Sequence, residues 1–141
     1  MRLTPDERGV VQRNEAIRWL RKNFQVGAAG VVYFAEDHNT YSVELFSEIS
    51  KTKKVSVFPV GLVGGLMLER PTVSRTEELD IAGFAVNLGH LLSHTSASFV
   101  SETENGYQET EFLKQLIKLE ELEPVATNKV LVWHTNTNTE H

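Results

Sequence analysis

Residues 31 to 39 read Val31-Val32-Tyr33-Phe34-Ala35-Glu36-Asp37-His38-Asn39. Four consecutive β-branched or aromatic residues mark a buried strand. The strand runs directly into a polar turn that carries two carboxylates and an imidazole. In open α/β sheets, ligands gather beyond the carboxyl ends of strands. This stretch therefore predicts both a fold class and a place for a site.

The flanking segments support that class. Upstream, Thr4-Pro5-Asp6-Glu7 predicts a helix start, with Thr4 as cap, Pro5 at the first position and Glu7 closing a capping box. Val10, Val11, Ile17 and Leu20 recur at helical spacing as far as Phe24. Gly27 and Gly30 break the pattern. Downstream, Val43, Leu45, Phe46 and Ile49 predict a helix over Ser42 to Ile49, followed by a basic turn from Lys51 to Lys54. Val55 to Val60 reads as a second strand and Gly61 to Leu68 as a glycine-rich third. Pro71 to Glu78 reads as a polar loop and Ile81 to Val86 as a buried apolar block. Gly89 to His94 reads as a short helix. Asn105-Gly106 signals a turn. Phe112, Leu113, Leu116 and Ile117 predict an amphipathic helix over Glu111 to Leu119. Val130 to Trp133 reads as a last strand, ahead of a loose polar tail. Strands alternate with helices, so the expected fold class is α/β, a mixed sheet flanked by helices.

Composition excludes several function classes. The chain has 141 residues, 40% of them hydrophobic and 23% charged, with a formal net charge of -5. That is the material of one ordinary domain, and residues 1–141 are expected to form it. No basic cluster extends beyond Lys51, Lys53 and Lys54, so a nucleic-acid surface is not expected. There is no cysteine, hence no disulfide or thiolate chemistry. The longest apolar run, Val57 to Leu68, is interrupted by Pro59 and glycines and falls short of the ~20 residues that span a bilayer. Asp6, Glu7 and Arg8 lie too early for a signal peptide, so any membrane anchor is expected outside this sequence.

Several blocks together resemble a known family. Val31 to Phe46, with Glu36-Asp37-His38 at its centre, resembles the acidic-motif segment of the animal β-1,3-glucuronosyltransferases. Val55 to Leu66 resembles their next strand pair, and Asp80-Ile81-Ala82-Gly83-Phe84-Ala85-Val86-Asn87 a third block. Gly106-Tyr107-Gln108-Glu109 and Val130-Leu131-Val132-Trp133-His134-Thr135 resemble two more, in family order. The resemblance implies a GT-A-type fold and inverting transfer of glucuronic acid from UDP-glucuronate to the 3-hydroxyl of a terminal galactose. It also implies a manganese ion, a homodimer and the luminal side of the Golgi membrane.

The resemblance assigns roles residue by residue. Glu109 takes the place of the general base that removes the acceptor's proton, a role that typically gives about 10²–10⁴-fold in rate. Glu36 and Asp37 take the place of donor-binding carboxylates. His38 stands where the family has the aspartate that ligates manganese. Manganese prefers oxygen to imidazole, so this replacement lowers the expected affinity for the ion. Arg8 and Arg13 resemble arginines that contact the UDP moiety, where a guanidinium fork suits a phosphate. His134 resembles a histidine near the diphosphate. Glu69, Arg75 and Asp80 resemble acceptor-binding positions, where carboxylates accept sugar hydroxyls.

In the family, a nucleotide-binding half precedes the segment that begins near Arg8. The chain is therefore expected to be the C-terminal part of a glucuronosyltransferase catalytic domain without the strands that hold the uracil. The loop Pro71 to Glu78 is also shorter than its family counterpart. These departures leave a second expectation open, a catalytically inactive truncated relative that binds UDP-sugar weakly or binds a partner. A third comes from residues alone. His94-Thr95-Ser96 and His134-Thr135-Asn136 resemble the paired histidine elements of two-histidine phosphoesterases.

Overall fold

The computed structural model describes residues 5–35, 39–63, 68–69, 72–73, 79–80, 83–100, 108–127 and 129–135. Helix α1 spans Pro5–Asn23 and ends in Arg21 and Lys22, basic residues that suit the negative end of the helix dipole. It buries Val10 and Ile17. The proposed cap Thr4 lies outside the described residues.

Among the described residues, ten strands follow in chain order with three further α-helices. Strands β1 (Val31–Val32) and β2 (Asn39–Tyr41) precede α2 (Glu44–Ile49), and β3 (Val55–Phe58) and β4 (Val60–Val63) come next. Then come β5 (Leu68–Glu69), β6 (Thr72–Val73), β7 (Leu79–Asp80) and β8 (Gly83–Asn87). Helices α3 (Leu88–Ser93) and α4 (Gln108–Lys114), a short 3₁₀ turn at Leu119–Glu121, β9 (Glu123–Pro124) and β10 (Val132–Thr135) complete the order. The class is α/β, as expected, with mixed sheets consistent with part of a GT-A-type domain.

The strands form two four-stranded sheets and a hairpin. The first sheet has the order β1-β8-β3-β9, the second β2-β10-β4-β5, and β6 pairs with β7. In the first sheet β8 runs antiparallel to both β1 and β3, while β9 is parallel to β3. In the second, β10 is antiparallel to β2 and parallel to β4.

Strand alternation builds two cores. Val55 and Val57 of β3, with Phe84 and Val86 of β8, face a core completed by α1, α3 and α4. Phe58 and Ala85 face the other way, against Leu45 and Ile49 of α2 and Leu131 and Val132. All four residues of β3 are buried because both faces of the sheet are covered. Ser56, buried among them, is satisfied by the Thr52 hydroxyl at 2.8 Å. Glu123 fixes where β3 begins. Its carboxylate accepts the backbone N–H groups of Lys53, Lys54 and Val55 at 2.8, 2.6 and 3.1 Å.

The structure corrects several expected boundaries. Val55 to Val60 is not one strand: the chain changes sheets at Pro59, which has no N–H to give a ladder. The glycine-rich third strand is instead two arms, β4 and β5, paired Val60 to Glu69. The arms of the polar loop pair as a hairpin, Thr72 with Asp80. The buried strand is only two residues long. Among the described residues it pairs with β8 alone, and Val31 to Phe34 are half-buried. The amphipathic helix starts at Gln108 and ends at Lys114, earlier than its apolar pattern suggests. The Asn105-Gly106 turn and the tail after Thr135 lie outside the described residues.

Candidate active site

The turn Glu36-Asp37-His38 lies outside the described residues, but its two ends are placed. It leaves the carboxyl end of β1 in the first sheet and enters β2 in the second. Asn39, the residue after His38, is the register partner of His134 on β10. Directly opposed residues in an antiparallel pair have Cα atoms about 4.5–5.5 Å apart. The backbone of His134 is thus brought beside Asn39, the residue that follows the acidic triplet, from a point far away in sequence.

At the near end of the turn, Phe34 enters an aromatic cluster. Its ring lies 5.4 Å from Phe99, 6.1 Å from Phe112 and 6.0 Å from Phe84, centroid to centroid. Phe99 and Phe112 stack at 4.2 Å with 10° between their planes. Phe112 is on α4, three residues after Glu109, so the two share a helix face. The Arg13 guanidinium lies over the Phe99 ring, with its carbon 4.7 Å from the centroid. Arg13 Nε is buried and has no hydrogen-bond partner. An unpaired buried donor of this kind costs about 1–3 kcal/mol, and Arg21 Nε is in the same position. Gly9, four residues before Arg13 on α1, makes room for the Arg13 group. A Cβ there would stand 3.3 Å from both terminal nitrogens of Arg13.

Side-chain amides hold the Phe99 segment in place. Asn14 donates to the Phe99 carbonyl at 2.9 Å and accepts the Phe99 N–H at 2.8 Å. Gln115 does the same for Ser98, accepting its N–H at 3.1 Å and donating to its carbonyl at 2.8 Å. Arg21 donates to the carbonyls of His94 and Ala97, both at 2.8 Å. Burial lowers the Arg21 pKa from its ordinary value.

Glu109 is half-buried in the first turn of α4, beside Glu111. It was expected in the turn before the helix. The shift places its carboxylate near the positive end of the helix dipole, a favourable position for an anion. Arg8 lies on the exposed surface of α1. The five-residue step from Arg8 to Arg13 is not a same-face spacing, and Arg13 reaches the aromatic cluster. Glu69 opposes Val60 and Asp80 opposes Thr72 in their ladders, while Arg75 lies outside the described residues. Among the described residues, no three His, Asp or Glu side chains form a group that could hold a metal.

Of the two histidine elements, the His134 side chain and Asn136 lie outside the described residues. His94 Nδ1 is engaged at 2.8 Å by the His90 carbonyl and at 3.1 Å by the Ser93 hydroxyl. The sequence reading also missed Phe99 and Asn14. Phe99 sits in an irregular stretch with no periodicity, and Asn14 is one polar residue among many on α1.

The described residues thus define an α/β chain in which Phe34, Arg13 and the helix that carries Glu109 meet at one aromatic cluster. The sequence model of glycosyltransferase family 43 matches residues 1–138. The chain is 47% identical over 150 positions to galactosylgalactosylxylosylprotein 3-beta-glucuronosyltransferase 1 of Homo sapiens, covering 92% of this chain and 45% of that protein. It is 48% identical over 149 positions to galactosylgalactosylxylosylprotein 3-beta-glucuronosyltransferase 2 of Mus musculus, covering 92% and 46%. The chain belongs to glycosyltransferase family 43. It spans somewhat under half the length of these relatives.

Proposed function

We propose that this chain carries the acceptor side and the catalytic base of an inverting glucuronosyltransferase. The donor is UDP-glucuronate and the acceptor is the 3-hydroxyl of a terminal galactose on a glycan. The aromatic cluster carries the reading, because it joins Phe34, Arg13 and the helix of Glu109 at one point. The names of the relatives supply the sugar and the linkage.

In this reading Glu109 removes the proton of the galactose 3-hydroxyl. That oxygen forms a bond to the anomeric carbon of glucuronate on the face opposite UDP. The bond from that carbon to the β-phosphate oxygen breaks, and its electron pair leaves with UDP. Arg13 donates to the diphosphate, the His134 position flanks it, and Glu69, Arg75 and Asp80 orient the galactose. Glu36 and Asp37 would hold the donor, and His38, where the family has aspartate, would offer a manganese ion a nitrogen that it takes less readily than an oxygen. Bound there, the ion would neutralise charge on the leaving diphosphate. A homodimer and a location on the luminal side of the Golgi membrane complete the proposal. Among the described residues, no helix is long and apolar enough to cross a membrane.

The test is UDP titration with and without manganese, followed by glucuronate transfer to a galactose-terminated acceptor. Glu109→Gln should lower the transfer rate by about 10²–10⁴-fold and leave UDP affinity unchanged. His38→Asp should strengthen metal-dependent UDP binding. UDP binding without any transfer would favour the inactive relative, a reading prompted by His38. Absence of UDP binding would refute the donor assignment.

A further inference from the structure

Phe99 is the only ring that touches both the Arg13 guanidinium and Phe112 of α4 among the described residues. Its position is over-determined. It is 3% exposed, its backbone is bonded on both sides by the Asn14 amide, and Phe34 meets it edge-on at 5.4 Å. The guanidinium above it has a buried Nε without a partner. A π face attracts a cation without using any of its N–H donors. Phe99 therefore fixes where the guanidinium lies without engaging its N–H donors.

The ring's opposite role lies at α4. Stacking at 4.2 Å and 10° leaves little freedom for Phe112 to slide without moving Phe99. Phe112 and Glu109 are one turn apart on α4. A shift of the guanidinium toward a ligand is thus felt at the helix that carries the base.

We propose that Phe99 is a positioning residue: it seats Arg13 for the diphosphate of a nucleotide donor and couples that seating to the helix of Glu109. The inference rests on the donor reading above and deepens it, since it assigns a role to a residue that binds neither donor nor acceptor.

The experiment measures UDP affinity of the full chain carrying Phe99→Leu, Arg13→Gln or both, with thermal melting to verify folding. Phe99→Leu keeps apolar bulk and removes the π face. It should weaken UDP binding by about three- to tenfold. The double variant should bind no more weakly than Arg13→Gln alone, because Phe99 acts through Arg13. Since Phe99→Leu could unfold the core, fluorinated phenylalanines at position 99 provide a second series. They keep the ring's shape while draining its negative face, so UDP affinity should fall stepwise with each fluorine. Hydrogen exchange at the Glu109 to Phe112 amides supplies the coupling readout. UDP should slow it in the unsubstituted chain and not in Phe99→Leu.

Arg13→Gln weakening UDP binding while both Phe99 series leave it unchanged would overturn this inference alone. Fully additive losses in the double variant, or equal slowing of exchange in both proteins, would also overturn it. If the unsubstituted chain binds no UDP, the donor reading fails and this inference fails with it.

Discussion

Replacing Asn14 by alanine should destabilise the protein by about 2–4 kcal/mol. The Asn14 amide makes two hydrogen bonds to the backbone of Phe99, at 2.9 and 2.8 Å, in a half-buried setting. Each bond contributes about 0.5–1.5 kcal/mol net, and a stranded buried group costs more than the bond it lost. Phe99 is 3% exposed, so water has poor access to the groups left behind. Gln115 provides an internal control. It makes the same paired bonds to Ser98, at 3.1 and 2.8 Å, but on the exposed surface. Water replaces it there, so Gln115→Ala should cost below about 1 kcal/mol. In thermal melts of a chain this size, Asn14→Ala should lower Tm by roughly 6–15 °C and Gln115→Ala by a few degrees at most. Equal losses in the two variants would refute the argument that burial, rather than the number of bonds, sets the cost.

Gly83→Ala should cost about 1–3 kcal/mol by overpacking, because a Cβ would stand 2.4 Å from Cε1 of Phe58, a ring 1% exposed. Gly61→Ala meets the Trp133 ring at 2.5 Å, but that ring is 40% exposed and can swing outward, so denaturant midpoints should show a smaller loss. The Glu121 carboxyl is held below the usual carboxylate range, first by the Lys54 ammonium at 3.2 Å and next by the Lys118 backbone N–H. A depressed folded pKa gives stability that is present above the unfolded value and lost as pH falls through the folded one. Lys54→Met should therefore raise the Glu121 pKa in a carboxyl NMR titration and reduce stability at neutral pH, with the difference vanishing in acid; an unmoved titration would contradict the pairing.

Much of the fold was legible because local pattern and burial agree. Val10 and Ile17 mark the buried face of α1 in sequence, and Val55 and Val57 mark β3. The Phe112, Leu113, Leu116 and Ile117 run marks the apolar face that α4 and the turn after it bury. The failures fall where pairing overrides pattern. Pro59 reads as an interruption in one strand, yet it moves the chain from one sheet to the other. Pro71 to Glu78 reads as a loop, although Thr72 and Asp80 pair across it.

The sequence alone determined the α/β class, the family likeness and the identity of the candidate groups Glu109, Arg13 and Glu36-Asp37-His38. Those follow from residue type and local order, which a chain carries before it folds. Only the tertiary structure decided which groups meet. The β2–β10 register sets His134 opposite Asn39, and the Phe34, Phe99 and Phe112 rings bring Arg13 to the helix of Glu109. These contacts join segments far apart along the chain, and their energy comes from burying rings and pairing backbone groups that no local pattern specifies.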